Sequence, residues 1–327
     1  MASNDLSKPP FIYFGGKSKI ASTVWELFGN VKNYVEPFAG SLAVLRLRPT
    51  WHFDGSVRVE TVNDLDYFIT NFWRAVQQAP EEVAKWANNP IIEADLHARH
   101  KWLVEIGKPE LASKMHDDPD YYNAKIAGWW VWGINAWIGK GWCQDANRQL
   151  PHLGNTGKGV NRQLPHLGDT GKGVNRQLPN LKENLRHQAH LDNLTSYFQA
   201  YADRLRYVRI TNGSWERVMN AAVTAFNDSA IFLDPPYPKH TSKDMYASDH
   251  TSDVGYDAMR WAVENGNKHK IVLCGYRELF DAEIPDGWQR IGWKAGAAYK
   301  SKKENRFTET LWASPLCNQL SNSELFK

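Results

Sequence analysis

Apolar and polar positions follow two rhythms along this chain. Short, unbroken apolar runs close to turn residues occur at Tyr34-Val35, at Ala230-Ile231-Phe232-Leu233 and over 270–274. Runs of this kind predict strands buried on both faces. Positions 57–62 alternate with period two and predict a further strand, and 208–212 and 308–313 read as strands too. Helical spacing covers 20–28, 68–78, 81–88, 94–106, 197–208, 215–226 and 256–265. The apolar 42–47 also reads as a helix, following a glycine turn. Residues 121–142 carry Trp129, Trp130, Trp132, Trp137 and Trp142 and predict a buried helix. Strands interleaved with helices predict an α/β fold.

Chemistry enters where strands end. Asp234-Pro235-Pro236-Tyr237 follows the 230–233 strand, at the edge where open α/β sheets bind ligands. Two prolines stiffen the rim, because each fixes its own φ and extends the residue before it. The rim presents a carboxylate, a carbonyl and an aromatic face. That set suits a flat ring bearing an exocyclic amine. Asp234 and the Pro235 carbonyl each accept one amine hydrogen, and Tyr237 stacks on the ring, a contact of about 1–3 kcal/mol. Two glycine turns lie upstream. Tyr13-Phe14-Gly15-Gly16-Lys17 lacks Walker-loop spacing, and Tyr34-Val35-Glu36-Pro37-Phe38-Ala39-Gly40-Ser41 reads as strand, turn and helix. Asp64 ends the 57–62 strand about 20 positions beyond the second turn, a spacing suited to ribose hydroxyls. Asn63-Asp64 equally suits a cap for the helix over 68–76.

Bulk properties narrow the class. The 327 residues suggest two domains, or one large domain with an insertion, and 42% apolar content supplies a core. The net charge of +3 confines any nucleic-acid surface to a local patch. Three scattered cysteines, Cys143, Cys274 and Cys317, offer neither a disulfide framework nor metal spacing, so no metal is expected and a reducing cytoplasm fits. The polar start predicts no signal peptide, and the longest apolar stretch, 126–138, is too short to span a bilayer.

A 14-residue unit opens at 147, recurs over 161–174 with Asn155 replaced by Asp169, and is truncated over 175–181. One proline and three glycines per unit exclude helix. Positions 139–190 hold eight Lys or Arg against three Asp or Glu, a local net of +5. A basic stretch of this kind suits a phosphate backbone, and an expanded surface loop without a role is the alternative. Lys140, Arg148, Arg162 and Arg176 are its candidate DNA contacts, and Lys300 and Lys302 form a second basic group, equally readable as a solvated hairpin tip. Asn135, among apolar neighbours, reads as a base-edge reader or as a satisfied core asparagine. Residues 239–255 are polar and read as a lid.

Four motifs in order, Tyr13 to Lys17, Val35 to Gly40, Asn63-Asp64 and Asp234 to Tyr237, resemble the Dam-like, D12 class N6-adenine DNA methyltransferases. One departure is Ser41-Leu42, where that family usually continues with glycines. The resemblance implies a Rossmann-like class I methyltransferase sheet with an inserted, mostly helical target-recognition domain. It places the catalytic domain at 1–67 and 196–327 and the insert at 68–195, with the repeats at 147–181. It implies S-adenosyl-L-methionine as cofactor, held by Tyr13, Gly15, Gly16, Lys17, Phe38, Gly40, Asp64 and Asp234. Asp234, Pro235, Pro236 and Tyr237 would hold an adenine flipped out of double-stranded DNA. It also allows a phage or prophage type, a cognate restriction nuclease as partner, and action as a monomer in a bacterial cytoplasm. Methylation of cytosine N4, and an inactive DNA-binding protein keeping the fold, are the alternatives.

Overall fold

In this computed structural model the described residues are 6–11, 13, 16–50, 55, 57–118, 120–137, 141–143, 187–225, 228–237, 251–293 and 309–320. They form two compact units, one of residues 1–16 with 66–206 and one of 17–65 with 207–327. Residues 1–16 thus group with the helical unit, not with 17–65, and 196–206 group there as well.

The second unit is built on a seven-stranded sheet. Its strands are β1 (Asn33–Glu36), β2 (Val59–Asp64), β3 (Val208–Asn212), β4 (Ser229–Leu233), β5 (Lys270–Tyr276), β6 (Gln289–Trp293) and β7 (Glu309–Ala313), in the order β3-β2-β1-β4-β5-β7-β6. β1 to β5 are parallel, and β7 runs antiparallel to β5 and β6. β1 and β4 are buried throughout, and in β4 the apolar run Ala230 to Leu233 is what a central strand requires.

Alternation gives each strand two distinct faces. Val35, Ile231, Leu233, Ile271 and Leu273 share one core with Trp288 and Trp312. The opposite face meets α1 (Ala21–Phe28), whose Trp25 ring lies 4.8 Å from Tyr34 and whose indole N–H donates to the Val44 carbonyl at 2.8 Å. The apolar run over 42–47 is not a helix. It holds a single 3-10 turn, Leu45–Leu47, because Leu42 takes φ 53°, a left-handed conformation that blocks continuation into an α-helix.

The first unit is helical: α2 (Tyr67–Gln78), α3 (Pro80–Ala87), α4 (Glu93–Trp102), α5 (Lys108–Asp117), α6 (Ala124–Ala136) and α7 (His187–Leu205). Asp66, not Asn63 or Asp64, caps α2 by accepting from Phe68 N. The helix expected over 94–106 ends at Trp102 and continues as one π turn, Leu103–Gly107. α6 is the tryptophan-rich helix, and Gly128 lets α3 approach it, since a Cβ there would sit 2.3 Å from Trp86 Cβ. Phe11 explains why the N-terminal residues join this unit. Its ring lies 4.9 Å from Trp130 and 5.5 Å from Phe72. On the same unit, Lys125 Nζ sits 4.4, 5.0 and 5.5 Å from the rings of Trp129, Trp102 and Trp86.

The sheet unit is completed by α8 (Ala221–Thr224), α9 (Thr251–Asn265) and α10 (Arg277–Phe280). The helix expected over 215–226 is a 3-10 turn, Trp215–Val218, followed by the short α8. α9 lays Ala258, Met259 and Ala262 on the Val35 face of the sheet. Among the described residues no helix is long and apolar enough to cross a membrane.

Candidate functional site

Five side chains follow from strand alternation and register. Tyr34 and Glu36 lie two apart on β1 and face α1, opposite Val35. The register pairs Val35 with Ile231, so Phe232, and Asp234 beyond the strand, continue that same face. On β5, Leu273 pairs with Leu233, which puts Cys274 on the Asp234 face and Tyr276, two residues further, on the same face. Glu309 pairs with Tyr276. The carboxyl ends of β1, β4 and β5 and the start of β7 therefore set Glu36, Asp234, Cys274, Tyr276 and Glu309 along one side of the sheet.

Lys17, just before α1, meets this row. Its Nζ lies 2.9 Å from Asp234 Oδ1, with 4% of the Lys17 side chain and 21% of the Asp234 side chain exposed. Burial works to lower the Lys17 ammonium, but the Asp234 carboxylate holds it above its ordinary value. Burial pushes the Asp234 carboxyl up, against the opposing pull of Lys17. Burial likewise raises Glu309, with Lys17 opposing and Asp234 reinforcing the rise. Tyr237 packs its ring 4.4 Å from that of Tyr276, and Lys17 Nζ lies 5.5 Å from the Tyr237 ring.

Glu36 is the residue that sequence reasoning passed over. It is 2% exposed. Its Oε2 accepts from Tyr34 Oη at 2.9 Å and from Leu45 N at 3.3 Å, tying the strand end to the 3-10 turn. Burial pushes its carboxyl up to about 8; Tyr34 and Leu45 pull it down, Asp234 pushes it up, and Arg46 pulls it down. The available signal was an acid set between Val35 and Pro37 in a buried strand, two residues after a tyrosine.

The glycine turn is braced from β2. Gly40 N donates to Asp64 Oδ2 at 2.9 Å, and Ala39 N donates to Asn63 O at 2.8 Å. Asn63 Nδ2 donates to Pro37 O at 3.2 Å and to Gly213 O at 2.9 Å. Gly40 takes φ 45°, a conformation glycine adopts without steric cost. Phe38 stacks on Trp215 with ring centroids 6.0 Å apart. Lys17, Phe38, Gly40, Asp64 and Asp234 to Tyr237 thus all lie in the sheet unit.

Residues 13–109 match the model of the D12 class N6 adenine-specific DNA methyltransferase family. The match takes in the motifs at Tyr13 to Lys17, Val35 to Gly40 and Asn63-Asp64, and Asp234 to Tyr237 lies beyond it. Members of that family are enzymes that methylate adenine in DNA, and a seven-stranded, mostly parallel sheet with helices is consistent with a methyltransferase fold. A comparison with curated proteins found no match.

The other expected site residues fall elsewhere. Tyr13 and Gly16 belong to the helical unit, where Gly16 N donates to Tyr13 O at 3.1 Å. Asn135 is buried, and its Nδ2 donates to Pro10 O at 2.9 Å and Val131 O at 2.8 Å. Both amide hydrogens are used inside the unit, the geometry of a satisfied core asparagine, and none remains for a base edge. Gly15, Lys140, Arg148, Arg162, Arg176, Lys300, Lys302 and the 147–181 repeats lie outside the described residues. So does most of the lid expected over 239–255; its last residues, from Thr251, open α9.

Proposed function

We propose that this protein transfers a methyl group from S-adenosylmethionine to the N6 amine of adenine in DNA, with the base turned out of the duplex. The observation that carries the reading is the pairing of two features on one sheet. A rigid Asp-Pro-Pro-Tyr rim ends β4, and a braced glycine turn ends its neighbour β1. The family match over 13–109 supports it.

The residues present fit the cofactor. Phe38 on Trp215 supplies an aromatic floor, Gly40 a backbone without a side chain, and Asp64 a carboxylate at the end of β2. When bound, S-adenosylmethionine supplies an electrophilic methyl on a sulfonium that leaves as a neutral thioether. No nucleophilic side chain is required of the chain. Its residues orient the amine and stabilise charge. Asp234 and the Pro235 carbonyl each accept one N6 hydrogen, which holds the hydrogens out of the ring plane and localises on nitrogen the lone pair otherwise delocalised into the ring. The carboxylate then stabilises the positive charge that grows on N6 as the new N–C bond forms. Tyr237 forms the aromatic wall of this corner, and Pro236 stiffens it.

The helical unit is assigned to target recognition in this proposal. The phosphates are assigned to the basic stretch over 139–190, with Lys140, Arg148, Arg162 and Arg176, and to Lys300 and Lys302. Neutralised phosphates make binding weaken as salt rises.

The test is to incubate the purified protein with DNA and S-adenosylmethionine labelled in the methyl group, digest the DNA to nucleosides and separate them. Label in N6-methyldeoxyadenosine is expected. Label in N4-methyldeoxycytidine would replace adenine by cytosine as the target, and unlabelled DNA would overturn the reading as a whole.

A further inference from the structure

We propose that Lys17 is a positioning residue that grips Oδ1 of Asp234 and so reserves Oδ2 for the amine of the target base. The inference rests on the function proposed above and assigns the geometry of its central contact. Lys17 Nζ lies 2.9 Å from Oδ1. Among the described residues no hydrogen bond reaches Oδ2, and the Asp234 side chain keeps a fifth of its surface exposed. One oxygen is held from within, and the other is the one available to a ligand.

The surroundings explain why a cation is needed. Asp234 shares its sheet face with Glu36 on β1, Cys274 and Tyr276 on β5 and Glu309 on β7, with Tyr237 following on its own rim. Lys17 is the cation set against it. Burial favours a protonated Asp234. A protonated carboxyl would offer the base a donor where an acceptor is required. Lys17 acts in the other direction and keeps the group ionised.

The geometry also explains why the cation is lysine. An ammonium is a point charge and binds one oxygen. A guanidinium presents a planar fork that takes both oxygens of a carboxylate. Arginine at this position would keep Asp234 charged and would compete with the base for Oδ2.

Two substitutions separate charge from geometry. Lys17→Met removes the charge while keeping an unbranched stem, and Lys17→Arg keeps the charge and adds the fork. The first measurement uses no cofactor and no DNA. The Asp234 carboxyl is followed by carbon-13 NMR across a pH titration, with Asp234→Asn identifying its signal. In Lys17→Met its midpoint should rise by about one to three pH units, and in Lys17→Arg it should stay near the wild-type value. The second measurement is methyl transfer. Lys17→Arg should lose about a hundredfold in kcat, as for a reacting group displaced by about 1 Å, despite an ionised Asp234. An unchanged midpoint in Lys17→Met overturns the pairing. Wild-type kcat in Lys17→Arg overturns the reservation of Oδ2. Absence of methyl transfer by the wild-type protein defeats the functional reading instead, and leaves the titration to judge the pair.

Discussion

Glu36→Gln should stabilise the sheet unit by an amount that grows with pH. The wild-type carboxyl is buried and pushed up to about 8, from an ordinary value of 4.5. A carboxyl whose folded value lies above its unfolded one holds its proton more tightly in the fold. Between 4.5 and about 8 the unfolded chain sheds the proton and the folded chain keeps it, so stability falls as pH rises through that window. Each pH unit is worth 1.36 kcal/mol, so Glu36 alone costs on the order of 1 kcal/mol at pH 5.5 and on the order of 5 kcal/mol at pH 8.5. Glutamine has the shape of the protonated acid, and its carbonyl oxygen can accept from Tyr34 Oη and Leu45 N as Oε2 does. It carries no proton to lose, so the two proteins should converge in acid and separate in alkali. Urea unfolding at pH 5.5, 7.0 and 8.5, followed by circular dichroism, reads the difference. For a unit of this size the gap at pH 8.5 corresponds to about 10–20 °C in Tm. A difference between the two proteins that stays constant across pH would refute the reasoning, because it would show that Glu36 titrates alike in the folded and unfolded chains.

Asn63→Ala removes two donated hydrogen bonds, to Pro37 O and Gly213 O, and should cost about 1–3 kcal/mol in urea unfolding; cofactor affinity, read by calorimetry, should weaken with it because the glycine turn loses one of its braces. Leu42→Gly relieves a left-handed φ worth about 1–2 kcal/mol, yet it strips a fully buried side chain worth about 2–5 kcal/mol; net destabilisation is expected, and a more stable variant would show that strain dominates. Lys125→Ala takes an ammonium away from three tryptophans and should lower stability by about 1–2 kcal/mol, measured against the unchanged sheet unit. Gly133→Ala would set a Cβ 1.8 Å from the Trp142 ring, so a loss of at least about 1–3 kcal/mol is expected in the helical unit.

The central strands were legible because burial on both faces writes itself as an unbroken apolar run, and Ala230 to Leu233 needs no context to be read. The rim after it was legible for the same reason, since two prolines cannot continue a strand. What local pattern did not reveal was set by tertiary contacts. Leu42 to Leu47 is apolar enough for a helix, but every residue from Leu42 to Leu45 is buried in a chain turned by one left-handed residue. The β2 strand begins pairing at Val59 rather than Val57, which stands exposed. Asp64 and Asp66 are both plausible caps by spacing; the first is drawn to Gly40 N, and the second takes the helix. Of the site, Asp234 and the glycine turn were readable as motifs. The partners were not, because Lys17, before α1, and Leu45, in the 3-10 turn, reach the strand ends only through tertiary packing, which local pattern does not write down.

The order of the strands has a consequence during synthesis. Asn33 on β1 pairs with Ser229 on β4, 196 positions later. At about 5–20 residues per second, the first central strand waits roughly 10–40 s on the ribosome before its neighbour exists. In that interval the whole of the helical unit, from 66 to 206, has been made. The nascent chain therefore carries the helical unit while β1 and β2 have only each other to pair with until β3 follows at 208, and the β4 side of β1 stays open until 229. Long-range parallel pairing of this kind is slow and leaves strand edges open, so chaperone demand in the cell should fall on the 33–64 segment first.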